Sequence, residues 1–199
     1  MEKESIRQFT DKYKKANFIE KILLKNFFNT IKSIIPENTK SVAEIGCGAG
    51  ISTEKLRDFF INQQTFFASD LDPELVEMAK EKNKGVSFGV ESIYDLNHTD
   101  GEFDLVFCLE VMEHLEEPEK ALKEISRITK EYVIISVPRE PLWRILNMAR
   151  GSYWKDLGNT PGHINHWSKR GVSKFISREF KVLKVCSSTP WTIVLAQKK

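Results

Sequence analysis

The chain has 199 residues, of which 41% are hydrophobic and 29% are charged, so it can form one globular core of ordinary size. The formal net charge of +2 excludes a general basic field that would hold a long nucleic acid. No run approaches the roughly 18 apolar residues of a membrane span. Three widely spaced cysteines, Cys47, Cys108 and Cys186, do not suit a disulfide framework. We therefore expect a single domain, residues 1–199, in the cytoplasm.

An amphipathic helix is predicted at the start of the chain. Apolar residues recur at helical spacing from Ile6 to Ile35, and Pro36 ends the pattern. We expect residues 1–36 to form an N-terminal cover over one face of a sheet.

A buried strand, a glycine turn and a helix are predicted next. Ser41–Ile45 has the length and composition of a buried strand, and residues 51–60 have helical spacing, with Ser52 or Thr53 as the expected cap. Three glycines on alternate positions separate them and let the backbone turn and approach a ligand. This order predicts a nucleotide site at the carboxyl end of a parallel strand.

The glycine spacing distinguishes two kinds of site. A dinucleotide-binding turn needs a third glycine where this chain has Ile51. With Glu44 two residues before the first glycine, the turn instead resembles motif I of the class I S-adenosylmethionine-dependent methyltransferases, whose ligand has no phosphate for an acid to repel. The resemblance implies a cofactor site formed by Glu44, Gly46, Cys47, Gly48 and Gly50.

The second predicted strand ends at an acidic residue. Residues 65–69 lead to Asp70, and Asp72 with Pro73 begins the following helix. A carboxylate at this tip can accept hydrogen bonds from both hydroxyls of a ribose. We assign the helix cap to Asp72 and the ribose to Asp70. The segment resembles the family's second motif, which implies that Leu71 packs on adenine.

After the third predicted strand, residues 86–90, the chain departs from the family pattern. The family has Gly-Asp-Ala there, and its Asp binds the adenine amino group, whereas this chain has Glu91-Ser92-Ile93. Alignment on the strand places Ser92 in the Asp position, with Ile93 beside it, so that a hydroxyl accepts the weaker hydrogen bond. Two alternatives stay open: Glu91 or Asp95 makes the contact, or Ser92 only caps a turn.

Strands and helices continue to alternate along the chain. We predict a fourth strand over Phe103–Leu109, a helix over residues 118–129, a fifth strand over 132–137, and two antiparallel strands over 180–187 and 191–197. The resemblance implies an α/β fold, a Rossmann-like three-layer sandwich. Its mostly parallel seven-stranded sheet has the order 3-2-1-4-5-7-6, with strand 7 antiparallel.

The exit from the fourth strand holds candidate catalytic groups. This segment resembles the family's motif IV, which implies that Cys108 and Leu109 pass the methionine part of the cofactor. His114 follows directly, and His163 and His166 lie in a later loop. We choose His114 and His166 as candidate bases for the proton of an acceptor hydroxyl.

A divalent cation is a second interpretation of the same exit. On one helical turn, Glu110, Glu113 and His114 would share a face, and His163 or His166 would complete the ligand set. The pattern resembles an element of small-RNA 2′-O-methyltransferases and of some ubiquinone-pathway O-methyltransferases. Because the same residue pattern occurs in methyltransferases that use no metal, our first interpretation assigns no metal ligand.

Residues 139–170 are predicted to form a lid that binds the acceptor. This segment contains six Lys or Arg residues and only two acidic residues. It also contains four aromatic residues: Trp143, Tyr153, Trp154 and Trp167. The composition suits an acidic or aromatic small molecule, and equally a membrane surface or an RNA end. The alternative is a solvated loop whose aromatic residues pack on the core. Tyr13 on the leading helix is predicted to close over the cofactor.

The resemblance implies transfer of a methyl group from S-adenosyl-L-methionine to a small-molecule acceptor, with O-methylation ahead of N- or C-methylation. S-adenosyl-L-homocysteine is the expected product. Three other functions stay open: a metal-assisted 2′-O-methyltransferase of an RNA end, a catalytically silent cofactor-binding module, and a nicotinamide-dependent oxidoreductase.

Overall fold

The computed structural model describes residues 18–60 and 65–199. In chain order the elements are α1 (Phe18–Lys32), β1 (Ser41–Ile45), α2 (Ile51–Arg57), β2 (Thr65–Asp70), α3 (Pro73–Lys82), β3 (Ser87–Val90), β4 (Phe103–Leu109), α4 (Pro118–Ile128), β5 (Thr129–Pro138), α5 (Leu142–Ala149), α6 (Lys169–Ile176), β6 (Phe180–Ser188) and β7 (Trp191–Lys198). Short 3-10 turns occupy Met112–His114 and Trp154–Asp156.

The strands form one sheet in the order β3-β2-β1-β4-β5-β7-β6. Neighbouring strands from β3 to β5 are parallel, and β7 runs antiparallel to both β5 and β6. The predicted fold and strand order are confirmed. Because the parallel strands end at one edge, the segments that follow β1, β2, β4 and β5 lie close to one another.

Alternating strand residues bury two apolar layers, one on each face of the sheet. On one face, Leu105 and Phe107 pack with Phe27 and Ile31 of α1 and with Leu56 of α2. On the other face, the strands pack against α4 and α6, through Val106, Cys108, Leu122, Ile125 and Phe175. This period-two burial produces the predicted three-layer sandwich.

Of the two predicted helix caps, one is present in the structure and the other is not. The Asp72 cap is confirmed, because its side chain accepts hydrogen bonds from the N–H groups of Glu74 and Leu75. The predicted cap of α2 is wrong: Gly50 occupies that position without a side-chain hydrogen bond. The Thr53 hydroxyl is instead used to satisfy a buried carboxylate of β1.

The N-terminal cover is described only from Phe18 onward, and its helix ends at Lys32, three residues short of the prediction. Tyr13 lies outside the described residues, so its placement over the cofactor stays a prediction. Across the described part of the chain, no helix combines the length and the apolar character needed to cross a bilayer.

The lid, residues 139–170, has an inner and an outer set of aromatic side chains. Trp167 stacks on Phe175 of α6 with ring centroids 5.2 Å apart. Trp143 also packs inward, whereas Tyr153 and Trp154 are exposed. The alternative of aromatic residues packed on the core therefore describes two of the four, and the other two face solvent.

Candidate active site

Three glycines shape the turn after β1 and serve two purposes. Gly46, Gly48 and Gly50 have φ values of 81°, 52° and 76°, a region that L side chains rarely adopt. A Cβ at Gly46 would collide with Val111, and one at Gly50 would lie 2.5 Å from the Asn83 amide nitrogen. A Cβ added at Gly48 would have none of the described atoms within 4 Å. Two glycines thus permit close packing, and Gly48 leaves the backbone open to a ligand.

Asp70, at the tip of β2, braces this turn. Its Oδ2 accepts a hydrogen bond from the backbone N–H of Gly48 at 2.8 Å, and its Oδ1 accepts one from Asp72 at 3.1 Å. A carboxylate offers about four acceptor positions, so about two remain for ligand hydroxyls. The side chain is half-buried. Asp70 can therefore hold the turn and bind a ligand at once.

Glu44 lies buried beneath the turn. Its Oε2 accepts a hydrogen bond from the Thr53 hydroxyl at 2.6 Å, whereas its Oε1 has no hydrogen-bond partner among the described residues. Burial raises the pKa of this carboxyl to about 7; the Ser52 and Thr53 hydroxyls oppose the rise, and the charge of Asp70 adds to it. A buried carboxyl with one unpartnered oxygen suits a cationic ligand group.

Replacing Glu44 by Gln should stabilise the unliganded protein by up to about 3 kcal/mol at about pH 8. The folded-state pKa lies above the ordinary value of 4.5, so ionisation of Glu44 costs folding free energy that grows between pH 4.5 and about 7. Denaturant unfolding of both proteins at about pH 8 and about pH 5 measures this difference. An equal gain at both pH values would contradict the raised pKa.

Exposed aliphatic side chains lie at the tips of β2 and β3. Leu71 is 69% exposed and Val90 is 52% exposed. Ile93 is half-buried, and the Ser92 hydroxyl accepts a hydrogen bond from the N–H of Tyr94 at 3.3 Å. The turn-capping alternative for Ser92 is therefore present in the structure, while its contact with adenine stays a prediction. The uncovered apolar area suits the face of a planar base.

Glu91, the other candidate for the adenine contact, is engaged within its own loop. Its Oε2 accepts a hydrogen bond from the N–H of Asn97 at 3.1 Å, and its Oε1 lies 3.5 Å from Nε2 of His98. Asp95 forms an isolated backbone bridge with Ser92. These contacts order the loop after β3.

Glu110, directly after β4, is held by the neighbouring strand. Its N–H lies 3.2 Å from the carbonyl oxygen and 3.1 Å from the hydroxyl oxygen of Ser136, and that hydroxyl donates to Glu110 Oε1 at 2.7 Å. Its φ of 58° is a strained value for a non-glycine residue. The 3-10 turn begins only at Met112, so Glu110 does not share a helical face with Glu113 and His114. Glu110 is therefore removed from the predicted set of metal ligands, which had been Glu110, Glu113 and His114.

Glu113, His114 and His163 come together instead. One carboxylate oxygen and one nitrogen from each ring all lie within 4.8 Å of one another. Nδ1 of His114 lies 3.0 Å from the carbonyl oxygen of Gly162, which places the proton on Nδ1 and leaves Nε2 as an acceptor. Burial lowers the pKa of His114, and the Gly162 contact opposes this, so the ring is neutral at neutral pH.

Glu113 is the buried member of this cluster. Burial raises its pKa well above the ordinary value, and the charge of Glu110 adds to the rise. Its Oε2 has no hydrogen-bond partner in the described ranges. Its backbone carbonyl accepts hydrogen bonds from Ile164 and Asn165, at 2.9 and 3.0 Å, which joins the lid to the exit of β4. The cluster has the chemistry to accept a proton or to bind a divalent cation.

The other predicted residues near β4 are placed differently. His166 is exposed, and its Nε2 lies 2.8 Å from Oδ1 of Asn159, outside the three-residue cluster. Cys108 is buried in the core, where burial raises the pKa of its thiol, so only its backbone is available to border a ligand. Leu109 closes the strand and is 8% exposed. A catalytic role for His166 stays a prediction.

A series of aromatic rings connects the cluster to the rest of the protein. The His163 ring stacks on Trp143 at a centroid distance of 5.9 Å, and Trp143 lies 6.1 Å from Trp191 of β7. Trp191 in turn lies 4.9 Å from Phe27 of α1. The inner side of the lid therefore presents planar faces next to the cluster.

Sequence reasoning missed several residues that support the site. The Asn83 amide, buried at the end of α3, donates to the carbonyl oxygen of Gly50 at 2.9 Å and thereby fixes the turn. Ser136 holds the carboxylate of Glu110, and Thr53, which the sequence suggested only as a helix cap, holds that of Glu44. Only Asn83 could have been recognised from the sequence, because Asn is common at the ends of helices. Ser136 and Thr53 are separated in the chain from the carboxylates that they bind.

Comparisons with known proteins agree with this geometry. Residues 43–136 match the methyltransferase domain family. A ubiquinone biosynthesis O-methyltransferase of Xanthomonas oryzae pv. oryzae is 34% identical over 94 residues, which are 45% of this chain and 38% of that protein. One from Coxiella burnetii is 22% identical over 200 residues, covering 86% of this chain and 82% of that protein. This chain thus spans about two fifths of the length of the Xanthomonas relative.

Solved structures show the same fold. A SAM-dependent methyltransferase from Aquifex aeolicus has a TM-score of 0.70 and 20% identity, covering 86% of this chain and 88% of that one. Magnesium protoporphyrin IX methyltransferase from Synechocystis, solved with bound SAH, has a TM-score of 0.69 and 17% identity, covering 96% of this chain and 95% of that one. With the sheet order and the glycine turn, these matches show that residues 43–136 are similar to the methyltransferase domain family and that the chain has the fold of S-adenosylmethionine-dependent methyltransferases.

Proposed function

We propose that the chain transfers a methyl group from S-adenosyl-L-methionine to a hydroxyl oxygen of a small-molecule acceptor. One observation carries this proposal: the open glycine turn and the neutral imidazole of His114 follow two paired strands, β1 and β4. Because these strands are parallel, both groups lie at the same edge of the sheet. The O-methyltransferases named among the relatives support the choice of oxygen.

The residues after β1 and β2 fit the cofactor. Gly48 leaves the backbone open, Asp70 keeps acceptor positions for the ribose hydroxyls, and Leu71 offers an exposed apolar face to adenine. The unpartnered Oε1 of Glu44 suits the amino group of the methionine part. When bound, the cofactor supplies a sulfonium methyl group that is already activated for in-line displacement. The protein chiefly has to orient the acceptor, which can contribute about 7 to 11 kcal/mol.

The acceptor side is formed by the cluster and the lid. Nε2 of His114 is available to take the proton of an acceptor hydroxyl, because Nδ1 is engaged with Gly162. The ring faces of Trp143 and His163 suit a planar acceptor, and the cationic excess of the lid suits an acidic substituent. These features support an acidic, ring-bearing hydroxyl compound as the acceptor.

Labelled S-adenosylmethionine and a panel of hydroxylated aromatic acids test this proposal. We expect label on an oxygen atom of at least one phenolic acid, with release of S-adenosylhomocysteine. The matching methyl ethers, which lack the free hydroxyl, are the controls. Label found only on nitrogen, on carbon or on RNA would contradict it. Cofactor binding without transfer to any acceptor would indicate a silent module, and stabilisation by NAD alone would indicate an oxidoreductase.

A divalent cation at Glu113, His114 and His163 is the second candidate for this site, favoured by the close approach of their ligand atoms. A cation there would lower the pKa of an acceptor hydroxyl. Metal analysis of the purified protein, and thermal unfolding with and without a chelator, test it. Bound metal near one equivalent, and a chelator-induced loss of stability that Glu113→Gln abolishes, are the expected results. Metal-free protein with full activity would exclude this candidate.

A further inference from the structure

A histidine that the proposed reaction does not use lies between β3 and β4. The ring of His98 packs between Phe67 of β2 and Phe103 of β4, at centroid distances of 4.4 and 4.8 Å. Only 10% of its side chain is exposed. Its Nδ1 lies 2.9 Å from Oε1 of Glu102, and its Nε2 lies 3.5 Å from Oε1 of Glu91. The imidazole therefore stands between two carboxylates, one at each ring nitrogen.

This arrangement suits a protonated ring. A neutral imidazole has a proton on one nitrogen, so the lone pair of the other would face a carboxylate, whereas an imidazolium presents a proton at both nitrogens. The closer carboxylate, Glu102, also accepts hydrogen bonds from the N–H and the hydroxyl of Thr99. Glu91 depends on the second proton of His98, because its side chain is 8% exposed and its Oε1 has no hydrogen-bond partner among the residues that the structure describes.

The other charged groups near His98 are paired with one another. Arg127 of α4 donates a hydrogen bond to the carbonyl oxygen of His98. The same guanidinium pairs with Asp100 at 3.0 Å and with Glu124 at 2.6 Å. β2 and β4 contribute only uncharged rings to the contact with the imidazole. The charge of His98 is therefore felt chiefly by Glu91 and Glu102.

Glu91 connects this histidine to the proposed position of the cofactor. Its N–H donates to the carbonyl oxygen of Asp70, the residue assigned to the ribose, at 3.1 Å. Ser92 and Ile93, assigned to adenine, follow Glu91 directly. The Glu91 carboxylate accepts a hydrogen bond from the N–H of Asn97 at 3.1 Å, which orders the loop after β3. The orientation of Glu91 therefore influences the backbone at both ends of the proposed adenosine site.

We propose that His98 is a positioning residue for the cofactor, and that its protonated form holds Glu91 and the adenosine-binding backbone in place. This role rests on the cofactor position of the proposed function and makes binding there depend on a proton. Loss of the proton leaves the buried carboxylate of Glu91 against a lone pair, so the loop relaxes and the cofactor affinity falls. Binding of the cofactor must then favour uptake of that proton by the same factor.

Calorimetry with S-adenosylhomocysteine at about pH 6 and about pH 8.5 tests this role in the full chain, since histidine changes its charge in this range. The wild type should bind about five- to tenfold more tightly than His98→Gln at the lower pH, and within about twofold of it at the higher pH. Glu44 titrates in both proteins, so its contribution cancels in this ratio. In a Glu91→Gln background, His98→Gln should have no further pH-dependent effect.

Phe67→Leu is the matched control, because it removes a ring that contacts His98 and leaves both carboxylates beside the imidazole. It should lower the free energy of unfolding, but its affinity relative to the wild type should be the same at both pH values. A second measurement does not depend on the folding of His98→Gln. Titrations at about pH 7.5 in buffers of different ionisation enthalpy should show more proton uptake by the wild type than by Glu91→Gln.

Two results would overturn the role of His98 alone: normal binding with a wild-type to His98→Gln ratio that is equal at both pH values, or equal proton uptake by the wild type and Glu91→Gln. Absence of binding by the wild type at both pH values would overturn the cofactor position as well. The failure of this inference can therefore be told apart from the failure of the proposed function.

Discussion

Replacing His114 by Ala should lower kcat for methyl transfer by about 100- to 10,000-fold, the contribution of a well-placed base. The ring packs against the Gly162 carbonyl and the cluster on one side and meets solvent on the other, so the fold and the cofactor affinity should change little. Stopped assays with labelled cofactor measure kcat, and calorimetry with S-adenosylhomocysteine checks the binding. An unchanged kcat would remove His114 from the mechanism.

The pH profile gives a second measure of the same group. Because burial lowers the pKa of His114, the acid limb of kcat should have its midpoint below 6.5, the ordinary value. Below that midpoint the imidazolium cannot accept a proton, and above it the rate should be level. His166→Ala is the matched comparison and should cost less, since His166 lies outside the Glu113–His114–His163 cluster and contacts Asn159. A midpoint above 6.5, or a larger loss in His166→Ala, would reverse the assignment.

Replacing Gly50 by Ala should destabilise the fold by about 2 to 4 kcal/mol and weaken cofactor binding. The added Cβ would lie 2.5 Å from the Asn83 amide and 2.8 Å from Ala79, at a φ of 76°. The turn can relieve this contact only by moving away from α3, which also moves the backbone at Gly48. Denaturant unfolding and calorimetric titration measure the two effects.

Alanine substitutions at two further glycines distinguish the cost of backbone strain from the cost of a steric clash. Gly85→Ala has the same left-handed strain with open space around it, so it should cost only about 1 to 2 kcal/mol and leave cofactor affinity unchanged. Gly48→Ala should cost a similar amount but reduce the affinity, because the proposed cofactor position lies against the open side of this residue. Normal affinity in Gly48→Ala would show that the ligand lies elsewhere.

The fold could be predicted from the sequence because its strands are short apolar runs separated by strong turn signals. Phe103–Leu109 was predicted to the residue, and the Asp72-Pro73 helix start was confirmed. Such signals are local, since a strand or a cap is decided by residues within a few positions. The cap of α2 failed for the opposite reason, because Thr53 is bound to Glu44, nine residues earlier.

The candidate site was only partly predictable. Its histidines could be named, but which one joins His114 depends on how the lid folds over β4. The structure selects His163 for the cluster and leaves His166 on the surface. Glu110 does not join the predicted metal ligands, because Ser136, on the neighbouring strand, binds its backbone N–H and its carboxylate. Contacts between residues far apart in the chain leave no periodic pattern in the sequence.

The central claim is that the cofactor lies across the tips of β1 and β2, and calorimetry with S-adenosylhomocysteine tests it most directly. The wild type should bind about one equivalent, and Asp70→Ala should lose at least about tenfold in affinity, because the variant removes both the ribose acceptor and the brace on Gly48. Glu81→Ala, which replaces an exposed acid on α3, should bind normally. No heat with the wild type, or equal affinity in Asp70→Ala, would contradict the account.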